Sequence, residues 1–462
     1  MTAVPRFLQM MPEHRCSFDR SHFCTKCPKN EHDYFCCMNE RNRLLCTAQE
    51  PIRFCQIKKD APAAIVTVQG SCMGAARFRL RKSKKNKGNH EMKERNTKPS
   101  DSVRLFAAAA TVFVFCATSG AYAFTLEGAP KVAFIYASSA QDGGWNEALE
   151  AGRKALEEQL QVPVSVTENI PEEATKLRAA IDLYVKRGFN IIIGTTYGYS
   201  APMAEAAKAY PNVAFLSASG TENGANMESF YARTYQGWYL AGIAAGQATK
   251  TKKIGILAGF PVGVVNWDIN SFALGARSVD PTIETVAVFA NSWWDPVKEG
   301  QIAQAILDQK ADVLATNLSA TSALDAAEKA GVPSIGFQLD MSHAAPRTIQ
   351  TSVIFRWEKY LVPTIKEIID GNWKPEEYGA FEGLETGVVD LAPFGPSVSE
   401  ETKAKVEAAK QEIIAGKLDP FQGPLKKQDG TIVVDVGGKV DDAALWSMDY
   451  FVDGVIGTMP AK

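Results

Sequence analysis

Several short segments of the 462-residue chain combine the residue types that recognise a flat polar ligand. In Ala137-Ser-Ser-Ala-Gln-Asp142-Gly-Gly-Trp145-Asn146 a carboxylate and an amide flank an indole. Tyr197 stands in Gly194-Thr-Thr-Tyr197-Gly-Tyr199-Ser200. Further on come Asn291-Ser-Trp293-Trp294-Asp295-Pro296, Thr316-Asn317-Leu-Ser319 and Phe337-Gln338-Leu339-Asp340. Two aromatic rings facing across a cleft form a stacking clamp, and such stacking contributes about 1–3 kcal/mol per base in nucleic-acid binders. The carboxylates of Asp142 and Asp340, the amides of Asn146 and Asn317 and the phenol of Tyr197 are suited to reading ring N–H groups or sugar hydroxyls.

Catalysis is a poorer reading of these residues. His343 is the only histidine after residue 123, which leaves little from which to build a Ser-His-Asp triad. The chain has no Gly-x-Gly-x-x-Gly, no phosphate-binding loop and no cluster with metal-ligand spacing, so neither cofactor nor metal is expected. Asp142 and Asp340 as an acid/base pair, as in a nucleoside hydrolase, is the remaining enzymatic option. Accepting hydrogen bonds is the expected role of both.

The elements that must position these residues alternate. Apolar runs at 131–136, 164–168, 190–194 and 213–217 read as buried strands, and amphipathic stretches at 146–160, 172–187 and 202–209 read as helices. The pattern restarts with runs at 253–259, 285–289, 312–316 and 333–337 and helices near 298–308 and 321–330. Strands alternating with helices of this length mean βαβ units and parallel sheets, and two such series mean two similar lobes. Ligands of open α/β sheets sit beyond the carboxyl ends of the strands, which is where the segments above fall. The expected division is 124–250 for the first lobe, with return segments from about 353–400. The second lobe is expected to take 251–352, with C-terminal segments from about 401–462.

The first 123 residues are a different kind of chain. They hold all nine Cys and none of the eight Trp, and carry 21 Lys and Arg against 10 Asp and Glu. Residues 124–462 carry 29 against 42. From Met92 a basic stretch leads into the uncharged apolar run Leu105–Cys116 and then to Ala121-Tyr122-Ala123. Positive flank, short apolar core and small-x-small exit describe a secretory signal at 92–123, too short for a span of about 20 apolar residues. Phe113-Val114-Phe115 before Cys116 is bulky for a lipobox, so soluble release into the periplasm is expected. Translation is expected to start at Met92, with 1–91 a non-native or disordered extension. Its Cys24-x-x-Cys27 is half of a zinc site with no clean second pair.

At the strand-end segments the chain resembles the basic membrane protein family of ABC-transporter substrate-binding proteins, which includes purine-nucleoside receptors. The resemblance runs from about Lys131 to Asp370. It rests on Asp142-Gly-Gly-Trp145-Asn146, Tyr239-Leu-Ala-Gly-Ile-Ala-Ala245, Asn291-Ser-Trp-Trp-Asp-Pro296, Ala311-Asp-Val-Leu-Ala315 and Gly331-Val-Pro-Ser-Ile-Gly336. It implies the type I periplasmic-binding-protein fold, two doubly wound α/β lobes with a hinge and a ligand cleft. It also implies a purine held between two rings at Trp145 and Trp293, with Asp142 and Asp340 as its acidic contacts, and Trp294 turned aside. An inner-membrane ABC permease is the implied partner. Three departures stand out: both stacking positions are Trp where the family has Phe, Phe337-Gln338-Leu339-Asp340 replaces Val-Asp-Ser-Asp, and Phe355 replaces a Lys. Without that Lys a free base is expected over its nucleoside.

The expected protein is therefore a monomeric periplasmic receptor with no nucleic-acid partner. The competing reading is a cytosolic ligand-sensing regulator whose Cys-rich head binds DNA. It would leave the apolar run 105–116 as an exposed sticky linker, which counts against it.

Overall fold

The computed structural model describes residues 124–460 and, in the head, three strands. The strands are β1 (Cys24–Lys26), β2 (Phe35–Met38) and β3 (Leu44–Cys46), paired antiparallel in that order. The zinc reading of the head and the signal at 92–123 lie outside the described residues. The chain divides into two compact units, 1–114 and 115–462; the architecture that follows belongs to the second.

Its first sheet contains β4 (Val132–Ile135), β5 (Val164–Thr167), β6 (Ile191–Gly194), β7 (Ala214–Ala218), β8 (Met227–Ala232) and β14 (Ala380–Glu382). The order is β14-β8-β7-β6-β4-β5, all parallel. The second contains β9 (Lys253–Ala258), β10 (Glu284–Phe289), β11 (Leu314–Thr316), β12 (Ser334–Gln338), β13 (Ile349–Phe355), β15 (Val389–Leu391) and β18 (Val455–Ile456). Its order is β15-β13-β12-β11-β9-β10-β18, and only β15 runs antiparallel. A small hairpin, β16 (Leu425–Lys426) and β17 (Ile432–Val434), lies near the C-terminus. Helices cover a parallel sheet on both faces, so its strands are apolar throughout instead of alternating. All four residues of β4 and of β6 are accordingly buried.

The helices are α1 (Trp145–Leu160), α2 (Ala174–Lys186), α3 (Ser200–Ala209), α4 (Thr234–Ala248), α5 (Gly263–Val279), α6 (Pro296–Asp308), α7 (Ser322–Ala330), α8 (Glu358–Asp370), α9 (Glu400–Ile414) and α10 (Asp442–Trp446). Local chemistry sets their ends. Asp295 accepts from the Lys298 amide while Glu299 reaches back to the Asp295 amide, and Pro296 opens α6. Gly331 and Gly371 take the left-handed conformation that stops α7 and α8.

The chain changes sheet three times. It leaves the first sheet after β8, at Arg233, and α4 packs on α5 in the second lobe. The close approach needs glycine: a Cβ at Gly242 would lie 2.2 Å from the Phe272 carbonyl, and one at Gly275 2.0 Å from that of Tyr239. After β13 the chain returns, so that α8 packs on α1 and β14 completes the first sheet. It crosses again before β15, and α9 and β18 stay with the second lobe. The first change of sheet falls near 233, and α4, apolar on nearly every side, is covered by α5. The return segment is likewise split between the two lobes.

Candidate functional site

The loop after β4 is held by its own side chains. The Asp142 carboxylate accepts from the backbone amides of Gly144, Asn146 and Glu147 at 2.9, 3.0 and 3.1 Å. It thereby satisfies the orphan N–H groups that open α1 and places negative charge at the positive end of the helix. Asn146 is buried, and its amide donates to Ser138 Oγ at 2.7 Å and to the Ser139 carbonyl at 3.1 Å. In this conformation Asn146 is spent on fixing the loop.

Trp145 is half-buried, and its indole Nε1 donates to the Thr195 carbonyl beyond β6 at 2.7 Å. Its ring stacks on Tyr231 at 6.0 Å and meets Phe355 and Trp357 edge-on at 5.4 and 5.7 Å. Phe355 is itself buried and stacked on Trp357 at 4.8 Å. The wall around Trp145 is therefore aromatic and uncharged.

In the second lobe Trp293 lies over the turn after β9. A Cβ at Gly259 would come within 2.6 Å of its ring, and the Phe260 ring meets it at 5.0 Å. Trp293 remains 53% exposed and Trp294 62% exposed. Tyr197, in the 3-10 turn Tyr197–Tyr199, is 65% exposed. Asn317 is buried and donates its amide to Asp268 Oδ2 at 2.8 Å. Asp340 is exposed and closes a local turn by accepting from the Ser342 amide at 3.0 Å.

The two lobes meet where α1 begins. A Cβ at Gly144 would lie 2.1 Å from Gln338 Oε1 and 2.5 Å from both Cβ and Oγ of Ser319. Ser319 Oγ donates to Gln338 Oε1 at 2.8 Å. Gln338 is buried at the end of β12 with φ at 76°, a conformation that costs a non-glycine residue about 1–2 kcal/mol. The strand ends of both sheets thus converge on one place, as a ligand cleft of this architecture requires.

Residues 129–419 match the family described as ABC transporter substrate-binding protein PnrA-like, Bmp. That stretch is well over half of the chain and contains both sheets' strand-end loops. The chain belongs to the Bmp family. A purine-binding protein of Brucella abortus is 36% identical over 71% of this chain and 94% of its own length. A Haloferax volcanii protein, provisionally named as an ABC transporter glucose-binding protein, is 32% identical over 72% of this chain and 81% of its own. A solved transcriptional activator of the comK gene from Bacillus halodurans superposes with a TM-score of 0.58 at 23% identity, covering 63% of this chain and 99% of that one. Its likeness is one of fold. The Bmp protein has the two-lobed α/β fold of type I periplasmic solute-binding proteins. Substrate-binding proteins of this family work outside the cytoplasm and with a permease.

Sequence reasoning missed four residues of this Bmp cleft region. Gln338, the last residue of β12, and Ser319, three residues past β11, were passed over for the neighbouring Asp340 and Asn317. Tyr231 was hidden inside β8. Asp268 gave no signal, since it sits in the middle of the apolar α5. It is 1% exposed and accepts from Thr234 Oγ1 at 2.6 Å as well as from Asn317, and Thr234 Oγ1 accepts from Trp267 Nε1 at 2.9 Å. Burial holds the Asp268 carboxyl well above the usual carboxylate range, and burial together with Asp268 raises the Tyr231 phenol.

Proposed function

We propose that this Bmp-family protein is a periplasmic receptor that binds a purine between Trp145 and Trp293 and delivers it to an inner-membrane ABC permease. The observation that carries the reading is the fixed indole of Trp145. Its N–H is anchored on Thr195 and its ring stacks on Tyr231, so the half-buried indole is held in one orientation for a flat ring. Trp293, half-exposed in the loop after β10, is the opposing ring. Asp142 and Tyr197 from the first lobe and Asn317 and Asp340 from the second supply edge contacts, while Asn146 sets the loop they stand on. The 36% identical relative named for purine binding supports the ligand class.

Phe355 supports a free base over its nucleoside. A buried phenyl ring beside Trp145 cannot satisfy ribose hydroxyls. Each hydroxyl left unpaired in a closed cleft costs about 1–3 kcal/mol. The apolar run 105–116 with its basic flank is the export signal, and the secreted chain starts near Phe124 and acts as a monomer.

Isothermal calorimetry with adenine, adenosine, hypoxanthine, inosine and glucose tests the ligand. Adenine or hypoxanthine is expected to bind more tightly than its nucleoside. Glucose binding without purine binding would replace the ligand class, in line with the provisional name of the Haloferax relative. N-terminal sequencing of protein from the native host tests export. A full-length cytosolic chain would favour the regulator reading.

A further inference from the structure

The contact between Gly144 and the Ser319–Gln338 pair has a consequence for ligand retention. Gly144 belongs to the first lobe and is the residue immediately before α1. Ser319 and Gln338 belong to the second lobe; Ser319 follows β11 and Gln338 ends β12. The two side chains are joined, since Ser319 Oγ donates to Gln338 Oε1 at 2.8 Å. Both are neutral, so the pair leaves no charge to be desolvated when the lobes come together. Gly144 presents bare backbone to that surface, and the space a Cβ would need is already filled by Gln338 Oε1 at 2.1 Å and Ser319 Cβ at 2.5 Å. Gly143 lies alongside, where a Cβ would be 3.8 Å from the Ser319 carbonyl. The next residue in the chain is Trp145, so any change in lobe spacing at 144 is passed directly to the ring proposed to hold the ligand.

We propose that Gly144 is a positioning residue for lobe closure: the missing side chain lets the start of α1 seat on the Ser319–Gln338 pair, and this seat sets how long a bound ligand is retained. The proposal rests on the receptor reading above but does not depend on which ligand is carried. It predicts an effect on release, because a contact formed only once the lobes have closed slows dissociation and leaves encounter unchanged.

The test uses the full chain and two readouts. The first is hydrogen–deuterium exchange without ligand, followed in segments 138–146 and 317–321. Gly144→Ala is expected to speed exchange in both segments while leaving β4, β6 and β9 as protected as in the unaltered protein. Ser319→Gly, combined with Gly144→Ala, removes the Cβ and Oγ that clash and frees Gln338 Oε1, the end of a flexible side chain that has lost its Ser319 partner, to move off the 2.1 Å contact, so it is expected to restore protection. The second readout is stopped-flow Trp fluorescence with adenine as the probe. Gly144→Ala is expected to raise the dissociation rate by about tenfold or more with little change in the association rate, and the double variant to reverse most of it. Ser319→Val, which grows the same contact from the other lobe, should reproduce the loosening and guards against a folding defect particular to position 144. Unchanged exchange in Gly144→Ala and Ser319→Val, or a defect that Ser319→Gly does not reverse, overturns the proposal. If adenine fails to bind the unaltered protein, the purine reading falls, while the ligand-free exchange still decides whether the seat exists.

Discussion

Arg233 and Asp442 form a two-pronged ion pair, Nη1 to Oδ1 at 2.7 Å and Nη2 to Oδ2 at 2.8 Å. Arg233 stands where the chain first leaves the sheet of lobe 1, and Asp442 opens α10 near the C-terminus. The same guanidinium donates through Nε to the Phe381 carbonyl at 3.0 Å and lies 4.1 Å over the Phe381 ring, in β14. One side chain therefore joins two of the crossings between lobes to the C-terminal segment.

Removing it should loosen the hinge region. Arg233→Ala is expected to destabilise the protein by about 1–3 kcal/mol, through the lost bidentate pair and the cation–π contact together. Asp442→Asn, at a partly exposed site, should cost about 1 kcal/mol or less. Arg233 holds the Asp442 carboxyl below its usual range. A carboxylate depressed in the folded state stabilises above its unfolded pKa and loses that contribution as pH falls. The difference between unaltered protein and Asp442→Asn should therefore shrink below about pH 4. Urea denaturation at pH 3, 5 and 7 measures it, and a difference that grows on acidification contradicts the assignment.

The two tryptophans proposed to stack on the ligand should separate binding from stability. Trp145 packs against Tyr231, Phe355 and Trp357, so Trp145→Ala should abolish purine binding and also cost about 2–4 kcal/mol of stability. Trp293 is half-exposed, so Trp293→Ala should weaken binding strongly with a stability loss of about 1 kcal/mol. Trp294→Ala should change neither by much. Calorimetry and thermal melts on the three variants decide it. If only Trp294→Ala weakens binding, the register of the clamp is shifted by one residue.

What the sequence showed and what it hid can be traced to particular residues. Strands such as β4 and β6 are legible because parallel strands are apolar without a break. Trp145 could be placed at a strand end by counting from β4. The membership of α4 could not, because Tyr239-Leu-Ala-Gly-Ile-Ala-Ala245 looks the same whichever lobe covers it. Only the fit of Gly242 and Gly275 against facing backbone assigns it. The Gln338–Ser319 pair was illegible for another reason. Its partner across the cleft is a glycine, and a glycine's contacts leave no trace in residue type.

Asp268 offers the prediction with the most defined pH signature. The carboxyl is fully buried, and its oxygens accept from Thr234 and Asn317. Burial raises its pKa in the folded state. A carboxyl whose folded pKa lies above its unfolded value stabilises fully below the unfolded pKa. That contribution is lost as pH rises toward the folded value. The unaltered protein should therefore carry a stability term that declines as pH rises above about 4, the ordinary Asp range. Asp268→Asn keeps the shape and removes the ionisation, so this decline should flatten and the variant should gain on the unaltered protein toward neutral pH. Asp268→Ala is a different experiment. It leaves the Asn317 amide and the Thr234 hydroxyl short of an acceptor in a buried place, and should cost about 2–5 kcal/mol at pH 4, a deficit that narrows as pH rises. It should also weaken ligand binding, because Asn317 is no longer held at the end of β11. Urea midpoints between pH 4 and 8 for the three proteins, with adenine calorimetry at pH 7, make the comparison. A pH slope in Asp268→Asn identical to that of the unaltered protein would show that Asp268 does not change protonation on folding.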